Sequence, residues 1–415
     1  MANQELIRAA HTTPPLSLND SETAIDMKRL RAYRMGRLRD EIARRDYGAC
    51  LYLDPINIRY ATGHRNVAVF QTPLPASALF VPAEGPVVLY ESPIIGPVAQ
   101  GLETIDEIRP SLPLTFFSGG ERLGDWMARW VQEITDLARR HGGGNSRLGI
   151  GRCDPRLSAG LAAQGFEVVD ALAVAETARV IKSPEEILCM NAAITAGETG
   201  MARMREALEP GITEIELWSL LHQANIAMGG EWVECRLLSS GERANPWQRE
   251  ASSRVIRAGE LVAFDTDMIG PFGYIADVSR TYHCGPGRPT LAQRDLYKLA
   301  FDEVHHNLAL VKAGLGFHEF SDKAYKPPAE YVAHRYDLLA HGVGMCDEYP
   351  TIHYPIDRGE LSMEGVLEEG MTISVESFMG AEDGGEGVKL EQQIVVTEGG
   401  YELLSRFPFE DTLLA

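Results

Sequence analysis

The amino-acid sequence predicts a two-domain protein of the α/β class, with an α+β arrangement in its second half. A chain of 415 residues is long enough for two domains, and 45% hydrophobic with 24% charged residues is typical of a globular protein with a large core. Helix and strand patterns alternate up to about residue 175, whereas the sequence from Glu231 onward is rich in strand patterns. These observations predict one α/β domain followed by a strand-rich domain.

The first predicted domain covers residues 25–178 and follows an N-terminal arm, residues 1–24, that is rich in Pro, Ser, Thr and Asn. An amphipathic helix is predicted over 27–46, and a second helix over 124–144 ends at three consecutive glycines. Short β-rich runs such as GACLYL, ALFVP and RLGIG accompany these helices. The alternation indicates an α/β domain.

The second predicted domain covers residues 179–415 and opens with a helix whose start is marked in the sequence. Ser183 can cap this helix, Pro184 suits its first position, and two glutamates follow in its first turn. Further apolar periodicity predicts more helices, which alternate with strands after Glu231. The predicted helices of this domain span about 184–208, 213–228, 290–313 and 318–335.

Composition excludes several classes of partner. The formal charge of −20 repels phosphate backbones and anionic membrane surfaces, so we expect neither a nucleic-acid nor a membrane partner. No signal peptide and no long apolar segment is evident. The six cysteines are spread singly, which favours a reducing compartment over a disulfide framework. We therefore expect a soluble, cytoplasmic protein.

Three aspartates fall within a short, otherwise apolar segment, LVAFDTDMIGPFGYIADVSRTY. Asp265 and Asp267 are expected on one face of a strand, roughly 7 Å apart along the chain. Gly270 and its neighbours form a turn, and the returning strand brings Asp277 opposite the first two aspartates. Burying several unpaired carboxylates together is costly, so a positive charge from outside this segment is expected to compensate them.

A second predicted hairpin repeats this plan with glutamates. The runs MTISVESF and VKLEQQIVVT flank a Gly-rich acidic turn, so that Glu376 faces Glu391. Between the two hairpins stands His341, followed by glycines that allow close backbone approach. One imidazole with four or five carboxylates is a ligand set for a pair of divalent ions such as Fe, Mn or Co. Each element alone is a weak signal, whereas the ordered series is a strong one.

A calcium loop is the alternative that the spacing can test. Asp265, Asp267 and Gly270 begin like such a loop. Its fifth and twelfth positions would be Ile269 and Ala276, however, and the twelfth needs a bidentate glutamate. The calcium alternative therefore fails.

The whole series resembles the pita-bread family of methionine aminopeptidase, aminopeptidase P, prolidase and creatinase, over both domains. The segments that carry the resemblance are VIKSPEEI, GYIADVSRTY, HGVG, VESF and KLEQQIVVT. The resemblance implies a creatinase-like N-terminal domain, a pita-bread C-terminal domain, two bound metal ions and a homodimer. The ligands that it implies are Asp265 or Asp267, Asp277, His341, Glu376 and Glu391.

Two departures from the peptidase pattern bear on activity. The peptidases of the family carry one histidine after the S-G before the first aspartate and another in an H-E-x-P motif. Here SSGERANPWQREASSR contains no histidine, and Asp347 stands where the second one would be. The sequence is instead similar to a lyase branch that cleaves dimethylsulfoniopropionate to dimethyl sulfide and acrylate. That branch implies both Asp265 and Asp267 as ligands, iron as the metal, Asp347 as base and Tyr336 as a further catalytic and substrate-binding residue.

A β-elimination is chemically plausible with these residues. It needs a base at the carbon next to a carboxylate, a Lewis acid and a neutral leaving group such as a thioether. Asp347, beside acidic neighbours in a cavity, can be the base if its pKa is raised. The alternatives are that Asp347 caps a turn and that Tyr336 is a packed helix residue.

The substrate pocket is the least specified part of the site. Phe70 stands where the lyase branch suggests a tryptophan; it offers a weaker π face to a sulfonium cation and can equally be a core residue. Fe is the expected metal, with Mn, Co or Zn as alternatives. A proline-directed metallopeptidase is the second hypothesis, and a metal-dependent binding protein without catalysis is the third.

Overall fold

The computed structural model of the chain describes residues 24–67, 75–360 and 362–415. The arm expected over residues 1–24 therefore lies, except for Ala24, outside the described residues. The chain forms two compact units, one over Asp26–Arg179 and one built mainly from Val180–Ala415. No helix of the described residues is long and apolar enough to cross a membrane.

The described residues of the first unit form a six-stranded mixed sheet with helices. Its strands follow the order β4-β3-β2-β1-β5-β6, and β1 pairs antiparallel with β2 and parallel with β5. Trp130 is buried in the core beneath the sheet. The main elements are α1 (Met27–Arg44), β1 (Ala49–Tyr52), α2 (Pro55–Thr62), β2 (Ala78–Pro82), β3 (Val88–Glu91), β4 (Glu107–Pro110), α3 (Phe116–Gly119), α4 (Leu123–His141), β5 (Arg147–Ile150), α5 (Pro155–Ala163), β6 (Glu167–Asp170) and α6 (Leu172–Arg179).

The second unit, as far as its residues are described, combines long helices with three sheets. A five-stranded sheet has the order β14-β13-β15-β16-β17, and two three-stranded sheets have the orders β12-β9-β8 and β11-β10-β7. Its elements are α7 (Pro184–Ala207), α8 (Glu214–Ala227), β7 (Trp232–Val233), β8 (Leu238–Ser240), β9 (Leu261–Phe264), β10 (Met268–Ile269), β11 (Ile275–Ala276), β12 (Arg280–His283), α9 (Leu291–Leu310), α10 (Phe317–Lys323), β13 (Leu338–Val343), β14 (Asp347–His353), β15 (Thr372–Gly380), β16 (Gly387–Thr397), β17 (Gly400–Leu403) and α11 (Asp411–Leu414).

The predicted start of α7 is confirmed in detail. The Ser183 hydroxyl accepts a hydrogen bond from the Glu186 backbone N–H, and the Glu186 carboxylate accepts one from the Ser183 backbone N–H. Two otherwise unpaired N–H groups at the helix start are thereby satisfied. The helix runs over Pro184–Ala207, close to the predicted 184–208.

The predicted helix over 318–335 is wrong in its length. The helix observed there, α10, covers only Phe317–Lys323. Pro327 and Pro328 follow shortly after it, and proline cannot continue the hydrogen-bonding pattern of a helix interior. The helix predicted from apolar periodicity is therefore too long, because the two prolines prevent the helix from continuing to residue 335.

Arg280 joins the two hairpins of the second unit to the C-terminal segment. Its guanidinium is fully buried and donates to the carbonyl oxygens of Glu391 (2.7 Å) and Pro408 (3.3 Å). The guanidinium also stacks on the ring of Phe409, 4.3 Å from the ring centroid. A guanidinium provides five donors in a fixed plane, so a single side chain can satisfy several buried carbonyl groups.

We expect Arg280→Met to destabilise the protein by about 3 kcal/mol, because several buried carbonyl oxygens lose a charged donor. The exposed Arg288 provides a matched control, since Arg288→Met removes the same group from solvent. Urea unfolding of both variants checks the prediction. Equal unfolding midpoints for the two variants would contradict it.

Candidate metal and active site

The second unit brings all six predicted ligand residues into one cluster. The described residues contain three overlapping groups of three, and within each group one donor atom from every residue lies within 4.8 Å of the other two. Glu376 and Glu391 are direct partners in the β15–β16 pairing, as the hairpin pattern predicted. The three groups are Asp277, His341 and Glu391; Asp265, Glu376 and Glu391; and Asp265, Asp267 and Asp277.

The backbone around Asp265 and Asp267 differs from the predicted strand. Strand β9 ends at Phe264, and Asp267 has a positive φ of 36°. The Thr266 hydroxyl donates to the Ala276 carbonyl at 2.7 Å and accepts from the Val278 N–H. These two bonds take the place of backbone hydrogen bonds between the strands where regular pairing is interrupted. Two residues on one face of a regular strand would be roughly 7 Å apart. The irregular backbone lets both carboxylates approach Asp277 more closely.

Burial and mutual repulsion act on these acidic groups. Asp265, Asp277, Glu376 and Glu391 are each at most 3% exposed. Burial, followed by the negative charge of Glu391, raises the pKa of Asp265 and Asp277. Burial and the charge of Asp265 raise the pKa of Asp267 well above its usual range. The cluster is therefore costly to ionise without nearby cations.

Lys389 supplies one such cation, which sequence reasoning missed. Its ammonium group is fully buried and lies 2.5 Å from Glu376 Oε2 and 3.0 Å from Asp265 Oδ2. Burial alone would lower the pKa of Lys389, but the surrounding carboxylates hold it well above its usual value. Strand alternation could have found it, because Lys389 and Glu391 are two residues apart on β16 and share a face.

His341 lies beside three of the clustered carboxylates. Its Nε2 atom is 3.3 Å from both Asp277 Oδ2 and Glu376 Oε1, and 4.0 Å from Glu391 Oε1. Burial disfavours the charged imidazole, but hydrogen bonding to Glu376 and the nearby negative charges raise the pKa of His341 to about 10. The histidine therefore acts as a second cation where no metal ion binds, and must lose its proton to become a ligand.

The donor set fits divalent metal ions. Asp265 Oδ1 and Glu391 Oε1 are buried and have no hydrogen-bond partner among the described residues, which is costly unless a cation satisfies them. Lys389 and a protonated His341 together balance only part of the charge of five ionised carboxylates. Oxygen donors with one imidazole suit hard and borderline divalent ions.

Asp347 lies beside the cluster but is open to solvent. It is the first residue of β14, its side chain is 66% exposed, and its Oδ1 atom is 3.7 Å from His341 Nδ1. The expected enclosing cavity is therefore not formed around Asp347 by the described residues of this unit. Its neighbour Glu348 is instead buried and forms a 2.8 Å ion pair with Lys182. This ion pair fixes the position of the first residues of β14.

Tyr336 also lies beside the cluster. It precedes β13 outside any helix, so the alternative of a packed helix tyrosine does not apply. Its ring centroid is 5.0 Å from Lys389 Nζ, and burial followed by the charge of Glu376 raises its pKa. It packs with Trp247 and Phe378. Phe70, the proposed cation-facing residue, lies outside the described residues.

Glu234 is a second acidic residue near Asp347 that sequence reasoning missed. Its backbone N–H donates to the Asp267 carbonyl at 2.9 Å. Part of its side chain reaches solvent. Partial removal from water by the surrounding protein, followed by the negative charge of Asp347, nevertheless raises the pKa of Glu234 to about 7. Only its position just after the short strand β7 distinguishes it in the sequence, which is a weak signal.

We expect Glu391→Gln to lose at least one bound ion per chain, because Glu391 belongs to two of the three donor groups. The amide keeps the shape of the side chain, so the fold should be retained. Elemental analysis of purified protein checks the metal content. Glu303→Gln is the matched control, since Glu303 is a fully buried glutamate of the same unit outside the donor groups; equal metal loss in both variants would contradict the assignment.

Comparison with known proteins identifies the family. The model of metallopeptidase family M24 matches residues 188–398. Two curated relatives are named dimethylsulfoniopropionate lyase DddP. The protein from Roseovarius nubinhibens is 37% identical over 397 residues, covering 94% of this chain and 88% of the relative. The protein from Roseobacter denitrificans is 34% identical over 394 residues, with the same coverage of both chains.

Solved structures show the same fold at low sequence identity. The Xaa-Pro dipeptidase from Bacillus anthracis superposes with a TM-score of 0.74 at 20% identity, covering 92% of this chain and 99% of that one. Prolidase from Pyrococcus furiosus gives a TM-score of 0.69 at 20% identity, covering 89% and 99%. The predicted fold class, a creatinase-like domain followed by a pita-bread domain, is thereby confirmed. By its sequence and its fold, the chain belongs to metallopeptidase family M24.

Proposed function

We propose that this protein is a metal-dependent carbon–sulfur lyase that cleaves dimethylsulfoniopropionate, or a similar small onium carboxylate, to dimethyl sulfide and acrylate. The observation that carries this proposal is similarity to two dimethylsulfoniopropionate lyases over 94% of the chain. The site supports it, because an aspartate stands beside the metal cluster where the peptidase pattern has a histidine. We assign catalysis to the unit Val180–Ala415.

The proposed centre holds two divalent ions on the six clustered side chains. Bound ions would supply Lewis acidity to the substrate carboxylate and stabilise negative charge next to it. Iron is the proposed metal; Mn, Co or Zn are alternatives, because an oxygen and imidazole donor set discriminates weakly among them. The ligands proposed are Asp265, Asp267, Asp277, His341, Glu376 and Glu391.

Asp347 is the proposed base. It takes the proton from the carbon next to the substrate carboxylate, the electron pair of that C–H bond forms the new C=C bond, and the C–S bond breaks to release neutral dimethyl sulfide. Because the Asp347 side chain is 66% exposed, its proton can pass to solvent before the next turnover. Tyr336 is proposed as a wall of the substrate site beside the carboxylates.

The family resemblance also suggests an oligomeric state, a cellular location and a further pocket residue. We propose a homodimer that acts in the cytoplasm on a small-molecule substrate, with Phe70 in the pocket for the sulfonium group. These proposals rest on the family resemblance and on the composition of the chain. A proline-directed metallopeptidase remains the second candidate, because the fold is shared with prolidase and Xaa-Pro dipeptidase structures.

Substrate preference separates the candidates. We expect the metal-loaded protein to release dimethyl sulfide and acrylate in equal amounts from dimethylsulfoniopropionate, and no free amino acid from a proline-containing dipeptide. Headspace gas chromatography and amino-acid analysis provide the two measurements. Amino-acid release alone would establish the peptidase, and the absence of both products would favour a binding protein.

Asp347→Asn tests the base most directly, because it keeps the shape of the side chain and removes its basicity. General-base catalysis typically contributes about a hundredfold to ten-thousandfold, so kcat should fall at least a hundredfold while metal content and KM change little. Asp383, in the exposed turn between β15 and β16, offers the control variant Asp383→Asn.

Two outcomes would contradict the assignment of Asp347. Elimination at the wild-type rate would show that another group takes the proton, and Glu234→Gln would then test a second carboxylate that interacts with Asp347. Loss of metal from Asp347→Asn would show that Asp347 supports the ligand cluster instead of the chemistry.

A further inference from the structure

Within the described ranges of the chain, Lys389 makes four polar contacts, and three of them are to proposed metal ligands. Its Nζ atom lies 2.5 Å from Glu376 Oε2, 3.0 Å from Asp265 Oδ2 and 3.4 Å from Glu391 Oε2. The fourth contact is the Ser279 hydroxyl at 2.6 Å, which itself donates to Glu391 Oε2. The side chain is fully buried. The ammonium group is thus placed inside the ligand cluster and cannot turn away to solvent.

The contacts divide the oxygens of these carboxylates into two sets. One oxygen of each carboxylate faces Lys389. Of the others, Glu376 Oε1 lies 3.3 Å from His341 Nε2, whereas in the part of the chain that the structure describes nothing hydrogen-bonds to the buried Asp265 Oδ1 and Glu391 Oε1. Lys389 therefore satisfies one side of the cluster and leaves the other side for another cation.

The positive charge of Lys389 has opposite effects on the metal-free protein and on metal binding. In the metal-free protein it offsets repulsion among buried carboxylates, which would otherwise oppose folding. A divalent ion held by the same carboxylates would be repelled by this charge in a medium of low dielectric constant. Stability of the free protein and affinity for the ion are therefore coupled through a single side chain.

We propose that Lys389 is an internal cation that stabilises the metal-free ligand cluster and, by doing so, weakens the binding of divalent ions. This inference rests on the proposed metal centre. Lys389 is a positioning and charge-balancing residue here, since no substrate contact is assigned to it. The cluster can then fold before it meets a metal ion, and bound ions remain exchangeable.

Lys389→Met tests this proposal, because methionine has a similar length and no charge. We expect the thermal midpoint of the chelator-treated variant to fall below that of the wild type. We expect its dissociation constant for Mn²⁺, measured by isothermal titration calorimetry, to decrease at least tenfold. The increase in midpoint on adding Mn²⁺ should also be larger in the variant.

Lys182→Met is the matched control. Lys182 is a second buried lysine of the same unit, and it pairs with Glu348, which belongs to none of the donor groups. Its loss should lower the midpoint without changing the dissociation constant for Mn²⁺. A similar gain in Mn²⁺ affinity in both variants would overturn the specific role of Lys389.

The remaining outcomes also decide the question. Unchanged or weaker Mn²⁺ binding by Lys389→Met would overturn the proposal, because the lysine would then only orient the ligands. If the variant is unfolded without metal, recovery of the fold with Mn²⁺ would support the proposal, and failure to recover would overturn it. Failure of the wild type to bind Mn²⁺ would instead overturn the metal centre itself, and with it this inference.

Discussion

Charge balance within one buried cluster is the constraint on which the second unit depends. Five carboxylates lie close together, and four of them are almost completely inaccessible to solvent. Burying ionised carboxylates is unfavourable unless cations or hydrogen-bond donors compensate them. Lys389 and His341 provide part of that compensation from β16 and β13, and the oxygens left without a partner account for the site's suitability for metal ions.

The hairpins that carry these residues are held together by polar contacts instead of by apolar packing alone. The Asp277 N–H donates to the Gln393 side chain at 3.1 Å, and the Glu391 N–H donates to the Ser279 carbonyl at 3.3 Å. Arg280 adds a further link by binding the Glu391 carbonyl. Such contacts fix the backbone on both sides of the cluster, so the ligands are positioned before any ion binds.

Much of this arrangement follows from local patterns. Period-two alternation predicts that Glu376 faces Glu391, and turn residues predict both hairpins. Capping residues predict where α7 begins. The sequence does not predict the break in the strand after Phe264, because Asp265 and Asp267 fit a regular strand pattern. The irregular backbone depends on contacts with the partner strand, such as the hydrogen bond that Thr266 donates to the Ala276 carbonyl.

The sequence by itself determined the fold class and the two hairpins, because helix and strand periodicity depends only on neighbouring positions, and the resemblance of its motifs to a known family indicated which residues gather in the cluster. The tertiary structure determined which charged side chains compensate one another and which are exposed to solvent. It placed the ammonium group of Lys389 among three carboxylates, left Asp347 open to solvent and raised the pKa of Glu234 to about 7. Strand alternation places Lys389 on the same face as Glu391, but its distance to Asp265 and the burial of each group depend on segments that are far apart in the chain.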